Sequence, residues 1–188
     1  MHRASPKPPT HAARILAAAD KLFYEQGIRA VGVDTIAAQA GVSKRTLYNY
    51  YPTKDDLIAA YLTARFKHVE PSDAPAREQI LAYFDRLEKI MSDGGFRGCP
   101  YVNAVCELSD RKHAATSIAV RFKEERLRWY QTLLERMSVA DPRGLAMQLQ
   151  ILVEGAIASA LVRDDPSFAR SARAAAEVLL DAATRKNS

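Results

Sequence analysis

The chain has 188 residues, room for one compact domain or two small ones at about 150 residues per domain. Its 48% apolar and 26% charged residues suit a soluble globule, and 27 Lys/Arg against 22 Asp/Glu, a net of +5, exclude a histone-like tail or a disordered acidic chain while permitting a nucleic-acid partner. Two cysteines exclude a disulfide framework, the polar, Pro-rich residues 1–10 carry no signal-peptide core, and no apolar run approaches the roughly 20 residues of a membrane span, so the expectation is a cytoplasmic protein without a membrane partner.

The pattern is helical almost throughout, with Ala-, Leu-, Arg- and Glu-rich segments between short Gly, Pro, Asp and Ser breaks. Residues 1–9 read as an arm. Thr10 is placed to cap a first helix that Gly27 ends. Within it Ile15, Ala18, Ala19, Leu22 and Phe23 recur at helical spacing. A short helix is expected from Val33 to Ala40, broken by Gly41. Ser43 caps another, ending near Tyr50 or Tyr51 before Pro52. Thr53 then caps a longer helix from Lys54 to about His68.

Residues 70–75 read as a linker, and later helices are expected over about 76–92, 100–108, 112–137, 142–162 and 167–185. Pro100 and Pro142 suit first helical turns, and Asp141 suits the cap before the second of them. The fold class is therefore all-α, about nine helices. The linker at 70–75 divides them into four helices before it and five after it.

The informative stretch runs from Ile36 to Tyr51. Two short helices meet at Gly41, which can take the positive φ a tight turn needs, and Ala37 is small where the second helix crosses. Ile36, Ala40, Val42 and Leu47 fill the angle between them. The second helix presents Ser43, Lys44, Arg45, Thr46, Tyr48, Asn49 and Tyr50, and no acid occurs between Asp34 and Asp55. A merely solvated helix would mix in Glu to pair with its cations; an acid-free face suits phosphates and base edges of a major groove. A structural helical hairpin without DNA is the alternative.

The run from Gly41 to Leu57 (Gly-Val-Ser-Lys-Arg-Thr-Leu-Tyr-Asn-Tyr-Tyr-Pro-Thr-Lys-Asp-Asp-Leu), with Phe23-Tyr24-Glu25-Gln26-Gly27 ahead of it, resembles the DNA-binding domain of TetR-family transcriptional regulators over residues 10–66. The resemblance implies a three-helix DNA-binding head over 10–53, a connecting helix over 54–69 and a helical body over 70–188 that dimerises and holds a small-molecule effector. By position, Lys44, Arg45, Thr46, Tyr48, Asn49, Tyr50 and Lys54 would face double-stranded DNA. Arg45 and Asn49 are the expected base readers, since Arg pairs with guanine and Asn with adenine. Tyr48, Tyr50 and Lys54 are expected on phosphates, and Leu47 and Tyr51 in the core. Where the family often places Thr or Ser before the second helix, Gly32-Val33 stands here, leaving Thr35 or Arg29 as substitutes for that phosphate contact.

In the body, Gly98-Cys99-Pro100 resembles a Gly-Cys start to the sixth helix seen in part of the family, some members of which sense electrophiles or oxidants. Cys99 at a helix N-terminus beside Arg97 has surroundings that favour a reactive thiol; inert packing is the alternative for it and for Cys106. Cys99, Cys106 and His113 lie seven residues apart, about 10.5 Å along one helix, too far to share a metal or for the cysteines to pair. No cofactor motif, metal set or catalytic constellation occurs, so no enzyme is expected. Tyr83, Met91, Cys99, Phe122, Trp129 and Leu152 are candidate effector contacts, with core packing as the alternative. The small residues Gly155, Ala156, Ser159 and Ala160, with the Ala-rich last helix, are expected to pack a homodimer. The expected function is a sequence-specific repressor released from a pseudo-palindromic operator by a small molecule. An electrophile-sensing repressor using Cys99 and a non-DNA helical interaction module are the alternatives.

The charge is unevenly placed. Residues 1–66 hold nine Lys/Arg and five Asp/Glu, a net of +4, and the remainder is nearly neutral.

Overall fold

The structure, a computed structural model, describes residues 10–70 and 72–185. The arm expected over 1–9 and Pro71 of the expected linker lie outside these residues. The described residues form nine helices and no strand: α1 (His11–Gln26), α2 (Val33–Ala40), α3 (Lys44–Tyr50), α4 (Lys54–Arg65), α5 (Ala76–Met91), α6 (Pro100–Leu108), α7 (Ala114–Arg136), α8 (Pro142–Arg163) and α9 (Ser167–Arg185).

Local chemistry sets most of these boundaries. Thr10, Ser43, Thr53 and Asp141 each accept a backbone N–H of the helix they precede, and Thr53 and Asp56 form a reciprocal capping box. Gly41 closes α2 in the left-handed region at φ 63°, its N–H reaching Ala37 and Ala38 carbonyls. Two boundaries differ from the expected ones. α4 stops at Arg65 because the Phe66 N–H turns back to Thr63 O, and the Phe66 ring lies edge-on to Tyr101 at 6.4 Å. α7 begins at Ala114 because Asp110 and His113 cap a preceding turn: Asp110 accepts the Lys112 N–H and His113 Nδ1 the Ala115 N–H.

The chain divides into two compact units. One comprises Met1–Phe66 and Pro100–Ala119, the other Lys67–Cys99 and Val120–Ser188. The expected body over 70–188 is thus not one unit: α6 and the start of α7 belong with the head. Glu107 on α6 explains this. Its carboxylate accepts the Arg29 N–H at 2.9 Å, while the Arg29 guanidinium donates to Leu108 O and the Tyr101 hydroxyl to Leu62 O.

In the head unit Ile15, Ala19, Ile36, Leu47, Leu57 and Leu62 are wholly buried, the larger ones each contributing about 1.5–3 kcal/mol. Arg65 ties α4 to α1 through both Asp20 oxygens, at 2.5 and 3.0 Å, and lies 4.2 Å from the Tyr24 ring. In the second unit α5, α8 and α9 surround Phe84, Leu134, Leu149, Ala176 and Leu180. The alanines of α9 at 169, 172 and 176 let it approach closely, and Arg173 bridges Asp85 and Glu177 at 2.8 and 2.7 Å.

One expectation about membranes changes. The 22-residue α8 is long and apolar enough, by length and composition, to cross a bilayer. Its inner face (Leu145, Leu149, Val153, Ala156, Ala160) is spent on the core of its own unit, and Glu154 on α8 holds Lys123 at 2.5 Å. A core helix passes the same test of length and apolarity as a membrane span.

Candidate nucleic-acid interface

α3 is a short helix held on one side by Leu47, wholly buried, and open on the other. Gly41 admits the tight approach: a Cβ there would sit 2.5 Å from the Arg14 guanidinium, which donates to the Gly41 carbonyl at 3.0 Å. Tyr51 is half-buried with its hydroxyl directed at Ala12 O, as expected of a packing residue, and burial raises its pKa.

The seven residues expected on DNA fall into three groups. Arg45, Tyr48, Asn49 and Tyr50 are exposed on the outer face of α3, with Tyr48 and Tyr50 39% and 48% accessible. Arg45 and Asn49, one helical turn apart, carry no hydrogen bond or ion pair among the described residues, so their full donor sets face outward. Lys44 and Thr46 are engaged within the head. Lys44 pairs with Asp34 at 3.0 Å, which raises its pKa, and the Thr46 hydroxyl bonds Ser43 Oγ at 2.8 Å.

Lys54, the third group, is engaged at the head's own backbone. Its ammonium donates to Ile28 O at 2.6 Å and lies 5.9 Å from the Phe23 ring, and burial lowers its pKa against the pull of Glu107 and Asp55. The Ile28 carbonyl lies just past the end of α1, and Lys54 satisfies it with one of its three donors. Arg29 is likewise engaged by α6, which leaves Thr35, exposed in the first turn of α2, as the other substitute.

The candidate effector residues separate in the same way. Met91 is buried in the core of the second unit and Leu152 packs against that core. Tyr83, Phe122 and Trp129 converge on one side chain that the sequence reading missed, Arg126. Its guanidinium carbon lies 4.7, 5.6 and 5.7 Å from the Tyr83, Phe122 and Trp129 ring centres. Phe122, Arg126 and Trp129 stand at i, i+4 and i+7, a spacing visible in the sequence. Phe122, Arg126 and Trp129 also line a pocket of about 220 Å³ with Lys67, Val69, Glu125, Arg128 and Thr132. Cys99 is buried, and Lys123 Nζ lies 3.5 Å from its sulfur; Cys106 is exposed. Burial opposes charge on Lys123, but Cys99 and Glu154 beside it outweigh that and raise its pKa.

Of the expected dimer residues, Ala156 and Ala160 are buried in their own unit, 6% and 3% accessible. Gly155 is exposed and Ser159 half-buried. The outward stripe of α8 is instead Met147, Ile151, Gly155, Ala158 and Val162, continued on α9 by Ser171, Ala174, Val178 and Ala182. Ile151 and Val178 are both 66% accessible, and Ile151 borders a shallow apolar hollow of about 430 Å³.

A helix pair joined at a left-handed glycine, with a polar, acid-free second helix, defines a helix-turn-helix DNA-binding protein. Residues 15–61 match the family of bacterial regulatory proteins, tetR family. The chain is similar to a TetR-type transcriptional regulator of Streptomyces avermitilis (TM-score 0.82, 34% identity, 93% of this chain and 98% of that one). It is also similar to a TetR-family transcriptional regulator of Streptomyces coelicolor (TM-score 0.84, 31% identity, 93% and 96%). The HTH-type transcriptional regulator YjdC of Escherichia coli is 22% identical over 88% of this chain and 91% of its own. The chain belongs to the TetR family, whose members are DNA-binding transcriptional regulators and not enzymes.

Proposed function

We propose that the protein is a homodimeric repressor that occupies a pseudo-palindromic operator and leaves it when a small molecule enters the body. The observation that carries this reading is the outer face of α3, where Arg45 and Asn49 are exposed and uncommitted while neighbouring polar groups are spent on the head. Two such helices must lie about one DNA turn, ~34–36 Å, apart to enter successive major grooves. The apolar stripe on α8 and α9 supports the second copy. A ligand that favours another spacing of the two heads weakens DNA binding by its coupling energy, typically ~1–3 kcal/mol.

The test is selection from fragmented genomic DNA, followed by mobility shift on the fragments recovered. The expected result is a small set sharing an inverted repeat, bound as one discrete complex. Uniform binding of all fragments would reduce the head to a non-specific basic surface.

A second reading concerns release. Lys123 Nζ at 3.5 Å from the Cys99 sulfur favours a thiol switch, because an ammonium is a suitable counter-charge for a thiolate. An electrophile such as N-ethylmaleimide is then expected to free operator DNA from the wild type and the Cys106→Ser variant but not from Cys99→Ser. Equal release from all three, or from none, refutes the switch.

A further inference from the structure

We infer that the body takes a small carboxylate on an apolar ring, a monocyclic aromatic acid, and that Arg126 holds its charge. This rests on the reading of the body as a ligand sensor and names the ligand class.

Arg126 carries an unmet donor and the neighbouring Tyr130 hydroxyl an unmet polar atom, but Arg126 is the one of the two that is charged. The Arg126 Nε is shut off from solvent and has no hydrogen-bond partner, and among the described residues no carboxylate pairs with its guanidinium. The acids close by are already spoken for: Glu125 holds His68 and Glu154 holds Lys123, each at 2.5 Å. A buried donor left unmade carries a desolvation cost, and a guanidinium fork matches a carboxylate in geometry.

The pocket supplies the rest of the specification. Lys67, Arg126 and Arg128 bring three cations against Glu125 alone, so a cationic ligand is repelled. Phe122, Trp129 and Val69 give it apolar walls, which a bare inorganic anion would leave unused. At about 220 Å³ it falls below the ~300–1,000 Å³ of sites for drug-sized ligands, which limits the occupant to about one ring.

Trp129 is the sole tryptophan of the chain and lines this pocket, so its emission reports occupancy directly. The full chain is titrated with benzoate, with benzamide (the same ring without the charge) and with inorganic phosphate. Benzoate is expected to change the emission saturably, and benzamide to bind about tenfold more weakly or worse, the scale of one charge-assisted hydrogen bond. Phosphate is expected to give no saturable change. Arg126→Met, which keeps the stem packed between the rings, and Arg126→Gln, which stays polar, should each weaken benzoate by about tenfold or more at unchanged far-ultraviolet helicity. Four results would overturn the inference: no saturable effect of benzoate at millimolar concentration, equal binding of benzamide, binding of phosphate as tight as benzoate, or unchanged benzoate binding by a folded Arg126 variant. The titration contains no DNA, so its failure leaves the operator reading standing, and failure to recover an operator leaves this one standing.

Discussion

Replacing Arg45 by alanine is expected to weaken operator binding by about 2–6 kcal/mol, at least about thirtyfold. A bidentate base contact is worth ~1–3 kcal/mol and a dimer on two half-sites loses it twice. The expectation singles out Arg45 because the structure disposes of its neighbours. Lys44 is paired with Asp34, and the Thr46 hydroxyl is bonded to Ser43. Arg45 sits in the first turn of α3 with no side-chain partner among the described residues, where a helix lying in a major groove brings its residues to base edges. The loss should therefore fall on the operator and spare scrambled DNA of the same length. Lys54→Met supplies the contrast. Its ammonium is turned inward onto Ile28 O, so removing it should leave the salt dependence of DNA binding unchanged, whereas loss of a phosphate contact lowers the slope by about one. Mobility-shift titrations of both variants on operator and scrambled duplexes, at several salt concentrations, check both claims. An equal loss on both duplexes would make Arg45 a backbone contact.

The contrast between Arg45 and Lys54 also marks where the sequence is legible. Helix boundaries are local chemistry. Thr10, Ser43, Thr53 and Asp141 cap the helices they precede, and Gly41 takes the positive φ that its turn requires. Each of these is a relation within a few residues, so the order and limits of the helices can be read in advance. The fate of a long cation is not local. Lys54 could reach a phosphate or a carbonyl, and the choice depends on Ile28, 26 residues away, being carried beneath it by α1. The grouping of α6 with the head rests on Glu107 and Arg29, 78 residues apart. Nothing in the spacing around either residue announces the other.

Orientation of a helix that is apolar on all sides is hidden for a different reason. In the run Gly155-Ala156-Ile157-Ala158-Ser159-Ala160 the one polar residue, Ser159, is itself small and half-buried, so periodicity cannot say which small residues point inward. Packing decides: Ala156 and Ala160 join Leu149 and Val153 inside, and Gly155 and Ala158 are left outside. Arg126 was missed because a cation between two aromatics on a helix reads as a solvated residue. Its role emerges only when Tyr83, from α5, closes the third side of the cage.

The same inside-outside division yields the second large effect. Ile151→Glu is expected to convert the proposed dimer to a monomer and abolish tight operator binding while leaving the protomer folded. Ile151 is 66% accessible in the protomer and lies midway along the exposed stripe of Met147, Gly155, Ala158 and Val162, so the protomer loses little by its replacement. In an interface built on that stripe the same change places a carboxylate on each side of a two-fold axis. An unpaired buried charge costs several kcal/mol, here twice, beyond what the small-residue contacts can offset. The DNA effect follows from geometry. A dimer holds its second head near its half-site at an effective concentration that can reach the millimolar range, and a monomer forfeits that advantage. Ala156→Glu, five residues along the same helix but 6% accessible, should instead destabilise the protomer itself. Sedimentation velocity together with thermal melts followed by circular dichroism separates the outcomes: a helical monomer for Ile151→Glu, and loss of the thermal transition for Ala156→Glu. A persistent Ile151→Glu dimer would move the interface off this face of α8 and α9, and with it the arrangement that sets the spacing of the two α3 helices.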